Sequence, residues 1–129
     1  LFSCAPTLPK VKKVTELSPP FQVSTTIAGD SLIVRWQPSP HEPRPDFAGY
    51  NLYVSGKSLV FAAVAELPVP ALVGKERHQL VLPTPEGSPI FVHMRSRTKN
   101  GEISLPSLPE LTISGSKTQS LRKERPEKN

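Results

Sequence analysis

The side chains most able to do chemistry are few and scattered. The chain has three histidines, His41, His78 and His93, and a single cysteine, Cys4. No histidine stands at metal-ligand spacing from another histidine or from the cysteine, and one cysteine cannot form an intrachain disulfide. A glycine-rich phosphate loop and a recognisable nucleophile motif are also missing from the sequence. We therefore predict a protein that is not an enzyme, uses no metal or cofactor and carries ordinary surface histidines.

The residues around Cys4 indicate a specific covalent modification of its thiol. The stretch Leu1-Phe2-Ser3-Cys4-Ala5 resembles a bacterial lipobox, with Leu1 three residues before the cysteine and the small Ser3 directly before it. Phe2 departs from the usual pattern and resembles the looser lipoboxes of spirochaetes. The resemblance implies that Cys4 becomes the first residue and carries lipid, so that the protein is anchored to a membrane of the bacterial cell envelope.

The residues that follow the cysteine have the composition of an extended linker. Residues 5–20 contain four prolines and three lysines and show little apolar patterning. Proline-rich linkers extend by about 3.1 Å per residue, so this one would hold a domain roughly 40–50 Å from a bilayer. We assign residues 1–19 to the lipobox remnant and the linker.

The positive charge of the chain lies at its two ends. The net charge is +5, of which residues 1–20 contribute +2 and residues 115–129 contribute +3, whereas residues 21–114 carry eight charges of each sign. Nucleic-acid-binding modules usually gather their cations on a folded face, so we expect no nucleic-acid partner. We predict that residues 115–129 are a disordered basic tail. The alternative is an anionic polymer bound through residues 116–129, with steep salt dependence.

The central residues have the pattern of short β-strands. Leu32, Val34 and the only tryptophan, Trp36, alternate with outward positions, which predicts a half-buried strand over residues 31–37. A second clear alternation over residues 90–97 predicts that His93, Arg95 and Arg97 face solvent. Further strands are predicted at residues 21–25, 50–55, 59–65, 78–82 and 111–113, and residues 67–74 are predicted to be irregular.

The order and spacing of these segments resemble a fibronectin type III domain. The features that carry the resemblance are Pro19-Pro20 before the first strand, Trp36, Gly49-Tyr50-Asn51-Leu52-Tyr53, Val92-His93-Met94-Arg95-Ser96 and the turn Asn100-Gly101. The resemblance implies an all-β fold, a seven-stranded immunoglobulin-like sandwich over residues 20–114. The tyrosine that begins the sixth strand in that family is replaced by Ile90.

Two predicted surfaces are candidates for binding a partner. Arg95 and Arg97 are expected to form a basic row with Lys99, either as a solvated face or as a site for an acidic partner. The stretch from residue 59 to residue 73 is too apolar for a small domain to bury completely, unless it packs as an edge strand on its own sheet. The candidate partner-binding residues are Phe61, Val64, Leu67, Val69, Leu72, Arg95 and Arg97.

These observations predict a membrane-anchored lipoprotein whose sandwich binds a protein partner or serves as a structural subunit of a membrane-associated assembly. The membrane contact is the lipid on Cys4, because no apolar run reaches the 18 residues of a transmembrane helix. The alternative function is a free accessory or adhesion module of a larger secreted protein, which predicts a neighbouring domain in the full gene.

Overall fold

A computed structural model describes residues 16–114, which form a two-layer β-sandwich. One layer has three strands in the order β1-β2-β5, and the other has four in the order β4-β3-β6-β7, with antiparallel neighbours throughout. The seven-stranded all-β prediction is therefore confirmed. Cys4 and the basic tail lie outside the described residues. The strands are β1 Phe21–Ala28, β2 Ser31–Gln37, β3 Phe47–Ser55, β4 Ala71–Gly74, β5 Gln79–Pro83, β6 Ile90–Thr98 and β7 Leu111–Ile113.

The hydrophobic core lies between the two layers and is centred on Trp36. This side chain is 3% exposed and its ring meets the Tyr50 ring edge-on, with the centroids 5.7 Å apart. Tyr50 in turn meets Phe47 edge-on at 5.2 Å. Such aromatic pairs add about 0.5–1.5 kcal/mol each to the free energy gained by burial. The alternating residues of β6 complete the core as predicted, with Ile90, Val92 and Met94 all buried.

The predicted strand over residues 59–65 is wrong. Residues 60–62 form a turn in which the Ala62 amide donates to the Leu59 carbonyl, and a 3-10 helix follows at Val64–Glu66. The strand is instead β4, in the stretch that was predicted to be irregular. Pro68 and Pro70 have no amide hydrogen, so regular pairing with β3 begins only at Ala71.

The chain enters the sandwich at one end and leaves it at the other. We call the end where β1 and β3 begin the N-terminal end, since Phe21 pairs there with Gln37. We call the other the C-terminal end, since β7 finishes there with Ile113 opposite Ile90.

The segment before β1 is fastened to both layers. Leu17 is 2% exposed and belongs to the core. The Ser18 carbonyl accepts hydrogen bonds from the hydroxyls of Ser39, which follows β2, and Ser96, in β6, each at 2.7 Å. The Ser18 amide donates to Nδ1 of His41 at 3.0 Å. Leu17 and Ser18 therefore contact the sandwich directly.

Candidate functional site

The outer face of the four-stranded sheet carries a buried stack of aromatic and cationic side chains. Tyr53 of β3 stacks on His93 of β6, with ring centroids 4.9 Å apart and an interplanar angle of 15°. The Arg95 guanidinium lies 5.9 Å from the Tyr53 ring centroid, and its Nε donates to Nε2 of His93 at 3.0 Å. All three side chains are buried. The prediction that His93 and Arg95 face solvent is therefore wrong.

The connection between β3 and β4 explains this burial. We call this connection, residues 56–70, the strap. Within the strap, the Ser58 hydroxyl and the Leu59 amide both donate hydrogen bonds to the carboxylate of Glu110. Glu110 directly precedes β7, and β6 lies between β3 and β7 in the sheet. To reach Glu110 the strap must cross β6, so it covers the row of the sheet in which Tyr53 and His93 pair.

Burial sets the charge state of the stack. The pKa of His93 is lowered to about 4, first by burial and then by the neighbouring Arg95 cation. The imidazole is therefore neutral at pH 7, in agreement with its Nε2 accepting a hydrogen bond from Arg95. Burial also raises the pKa of Tyr53 and lowers the pKa of Arg95. The stack thus carries one positive charge, on Arg95.

Arg97 is a structural clamp and not part of an open basic row. It is half-buried, and its Nη1 lies 2.6 Å from the Tyr50 carbonyl and 3.2 Å from both the Val73 carbonyl and Oδ1 of Asn51. These acceptors belong to β3 and β4, so the guanidinium ties three strands together. Of the predicted basic row, only Lys99 is exposed. The prediction of a basic row is wrong because strand alternation shows on which face of the sheet a side chain lies but not what covers that face.

Gly49 makes room for the clamp. Its φ is +151°, and a Cβ built on it would lie 2.1 Å from the Val73 carbonyl oxygen and 3.1 Å from Nη2 of Arg97. Only glycine fits this approach of β4 to β3. The sequence offered a signal here, since a glycine inside a strand pattern often marks a close backbone approach.

The residues of the predicted apolar surface lie partly in the strap and partly in β4, and they differ in exposure. Phe61 and Val69 are each 94% exposed and Leu72 is 66% exposed, whereas Val64 and Leu67 are half-buried. Contiguous patches of exposed apolar side chains often mark partner sites. A binding role for these residues stays a prediction.

A second polar cluster joins the loop after β2 to the start of β5, and no motif in the sequence predicts it. The Tyr50 hydroxyl donates to the Glu42 carboxylate and accepts from the Ser39 amide at 3.0 Å. Nε2 of His78 lies 2.8 Å from the same carboxylate. Burial alone would raise the pKa of Glu42, but the hydrogen bonds from Tyr50 and His78 outweigh it, so the pKa is lowered. The cluster positions the loop and offers no nucleophile.

Between residues 16 and 114, no three histidine, cysteine or acidic side chains are placed so that they could hold a metal ion. The same part of the chain contains no helix long and apolar enough to cross a membrane.

Comparison with solved structures identifies the fold. No family profile and no curated protein sequence matches the chain. Among solved structures, the third fibronectin III domain of the human KIAA0343 protein matches with a TM-score of 0.52 and 17% identity, over 92% of this chain and 98% of that chain. The chain has the fibronectin type III fold.

Two longer proteins match this chain over part of their own length. The central fibronectin-III array of RIM-binding protein matches with a TM-score of 0.56 and 18% identity, over 77% of this chain and 36% of that one. The spore cortex lytic enzyme SleM of Clostridium perfringens matches with a TM-score of 0.55 and 17% identity, over 77% of this chain and 28% of that one. This chain therefore spans well under two thirds of either protein. At such identities the likeness concerns the fold alone.

Proposed function

We propose that this protein is a non-catalytic, lipid-anchored protein of the bacterial cell envelope whose fibronectin type III domain binds a protein partner. The observation that carries the binding role is the 94% exposure of Phe61 and Val69 on the strap. The anchor is supported by Cys4 with Leu1 and Ser3 before it and by the proline-rich linker after it. The two parts of the proposal are tested separately.

The anchor is tested by the intact mass of the protein purified from membranes of its host. We expect the mass to include acyl chains on Cys4, and we expect Cys4→Ala to remove that mass and to release the protein from the membrane fraction. An unmodified Cys4 in the native protein would refute the anchor. The control is the unaltered gene expressed from the same promoter.

The binding role is tested by placing a photo-crosslinking amino acid at single positions in living cells. We expect discrete crosslinked products from position 61 and none from position 81, because Val81 is 51% exposed but lies on the outer face of the other sheet. Equal products from both positions would show that the strap is not the binding surface.

A second candidate function is an accessory or adhesion module of a larger secreted protein. It is favoured by the two longer proteins above, in each of which the matched unit is about a third of the chain or less. The sequence of the complete gene distinguishes the two functions, since a further domain joined to this one supports the module and a signal peptide ending at Ser3 supports the anchored protein.

A further inference from the structure

β4 is the last strand of its sheet, and one of its two edges is open. The strand pairs with β3 alone. The Val73 carbonyl points towards β3, since its oxygen lies against a Cβ built on Gly49 and accepts from Arg97. The hydrogen-bonding groups of successive residues in an antiparallel strand point alternately to one side and to the other. The amide and the carbonyl of Leu72 therefore point away from β3, to a side on which no strand of the described residues lies.

The side chains along this open edge are apolar and uncharged. Leu72 is 66% exposed, Val69 just before the strand is 94% exposed, and residues 67–74 contain no charged side chain. Proteins commonly protect a free strand edge with charged side chains, with proline or by keeping the strand short. Of these devices β4 has its shortness and the preceding Pro68 and Pro70, but no charge. A short stretch of the edge is thus available for pairing with another strand.

The donors and acceptors of the open edge complement those of an antiparallel copy of the same edge. Alternation places Pro70, Leu72 and Gly74 on the outward side. With Leu72 opposite its own counterpart, the two residues exchange both of their backbone hydrogen bonds, and each Gly74 amide meets a Pro70 carbonyl. The Gly74 carbonyl needs no donor from the other copy, because it already accepts from the Arg77 amide at 3.3 Å. The Pro70 opposite it has no amide hydrogen to offer, so no donor is left unpaired in this register.

The charges at the two ends of the open edge favour the same antiparallel arrangement. Glu66, which is exposed, lies before the edge. The segment after it has two positive side chains, Lys75 and Arg77, and one negative side chain, Glu76. An antiparallel pair brings the acidic end of each copy beside the basic end of the other, whereas a parallel pair brings like ends together.

We infer that two copies of this chain pair through β4 in antiparallel orientation, about a two-fold axis at Leu72. The two four-stranded sheets then form one continuous sheet. The Leu72 side chains lie on the same face and cover each other, as directly opposite residues of neighbouring strands do. Because the contact is small, the dimer is expected to be weak and to depend on protein concentration. The pairing goes beyond the proposed function and requires neither the lipid anchor nor a partner on the strap.

The arrangement is tested by disulfide crosslinking in a background in which Cys4→Ser removes the single cysteine of the 129-residue chain. Leu72→Cys in this background is expected to form a disulfide-linked dimer on mild oxidation. Residues that exchange backbone hydrogen bonds have Cα atoms about 5.5 Å apart, which is within disulfide range. The matched control is Val81→Cys, because Val81 is 51% exposed on β5, an edge strand of the other sheet. The control is expected to stay monomeric.

Analytical ultracentrifugation measures the dimer without a covalent link. The chain with Cys4→Ser is expected to show a monomer–dimer equilibrium. Adding Leu72→Lys should weaken the dimer about tenfold or more, since it places two like charges directly opposite each other. The melting temperature should not change, because the Leu72 side chain is largely in water. Val81→Lys is the control that should leave the dimer intact.

Three results would overturn the inference. The first is a chain that stays monomeric at concentrations up to about 1 mM. The second is a dimer that Leu72→Lys leaves unchanged, which would assign self-association to another surface. The third is equal disulfide formation from positions 72 and 81.

Pairing of β4 with a strand of a different protein is distinguished from self-pairing in the same way. Photo-crosslinks from position 72 to another protein in living cells, together with a monomer in the ultracentrifuge, would assign the open edge to that protein and overturn the inference. The mass on Cys4 and the crosslinks from position 61 do not depend on β4, so the proposed function can stand or fail separately.

Discussion

Nη1 of Arg97 donates to the carbonyl oxygen of Val73 at 3.2 Å, although a whole strand lies between the two strands that carry these residues. The side chain crosses β3 at Gly49, the one position in that strand where the backbone is bare and φ is positive. A glycine and an arginine that are 48 residues apart in the sequence therefore add a side-chain contact to the backbone pairing of β4 with β3.

Gly49→Ala is expected to destabilise the domain by about 2 kcal/mol or more, because it adds backbone strain and a Cβ that meets the Val73 carbonyl at 2.1 Å. The measurement is the free energy of unfolding from urea titration. Gly74→Ala is the matched control, since Gly74 pairs with Gly49 but a Cβ there meets nothing within 4 Å. Similar losses in the two variants would contradict the clamp.

Trp36→Ala is expected to cost about 3–5 kcal/mol, since it removes the largest side chain of the core and leaves a cavity. Trp36→Phe should cost much less, because the indole nitrogen of Trp36 is buried without a hydrogen-bond partner and no bond is lost with it. The two free energies of unfolding are compared under the same conditions. Equal losses in the two variants would contradict this expectation.

Stability is expected to fall between pH 6.5 and pH 4 because of His93. The pKa of His93 is lowered to about 4 in the folded protein, against 6.5 for an ordinary histidine, so below pH 6.5 the unfolded chain takes up a proton that the folded protein refuses. The loss approaches about 3 kcal/mol at pH 4. Urea titrations at closely spaced pH values measure it.

His93→Gln is the control for this pH dependence, because glutamine has no proton to take up in this range. Glu42 also favours the folded protein, but its lowered pKa means that its contribution is lost only as the pH falls below 4.5. The interval from pH 6.5 to pH 4.5 therefore reports mainly on His93. An equal slope in His93→Gln over that interval would show that the buried histidine is not responsible.

Glu110→Gln is expected to loosen the strap without unfolding the sandwich. The substitution replaces the charged acceptor of the Ser58 hydroxyl and the Leu59 amide, and hydrogen bonds to charged groups are worth about 1.5–3 kcal/mol each. Hydrogen exchange should become faster at the Leu59 amide and stay unchanged in β2. Glu66→Gln serves as a control, since Glu66 is exposed in the strap itself. Unchanged exchange at Leu59 would mean that other contacts hold the strap.

Much of the fold follows from the sequence. Strict alternation in β2 and β6 gave the correct inward residues, because a strand that faces a core on one side must place apolar side chains at every second position. The correct order of seven strands also followed from the family resemblance. The exception is the stretch from residue 59 to residue 74, which is apolar but does not alternate. There a strand was predicted at residues 59–65, whereas the strand lies at Ala71–Gly74.

The candidate site was less predictable for a physical reason. Alternation assigned His93 and Arg95 to the outer face of their sheet, which is correct, but a strap anchored at Glu110 covers that face. The contact from residue 59 to residue 110 is long-range, and nothing local in the sequence marks it. The apolar excess of residues 59–73 indicated that some side chains there could be exposed, but it left the edge-strand alternative open and did not show which side chains would be exposed.

The double hydrogen bond to the Ser18 carbonyl has a mechanical consequence. One donor, Ser39, directly follows β2 of the three-stranded layer, the other, Ser96, lies in β6 of the four-stranded layer, and the neighbouring Leu17 is buried in the core. Tension applied to the chain at Ser18 would therefore load both layers before it could peel β1 from the edge of its sheet. We expect a domain connected in this way to withstand more force at its first strand than one whose first strand contacts a single neighbouring strand.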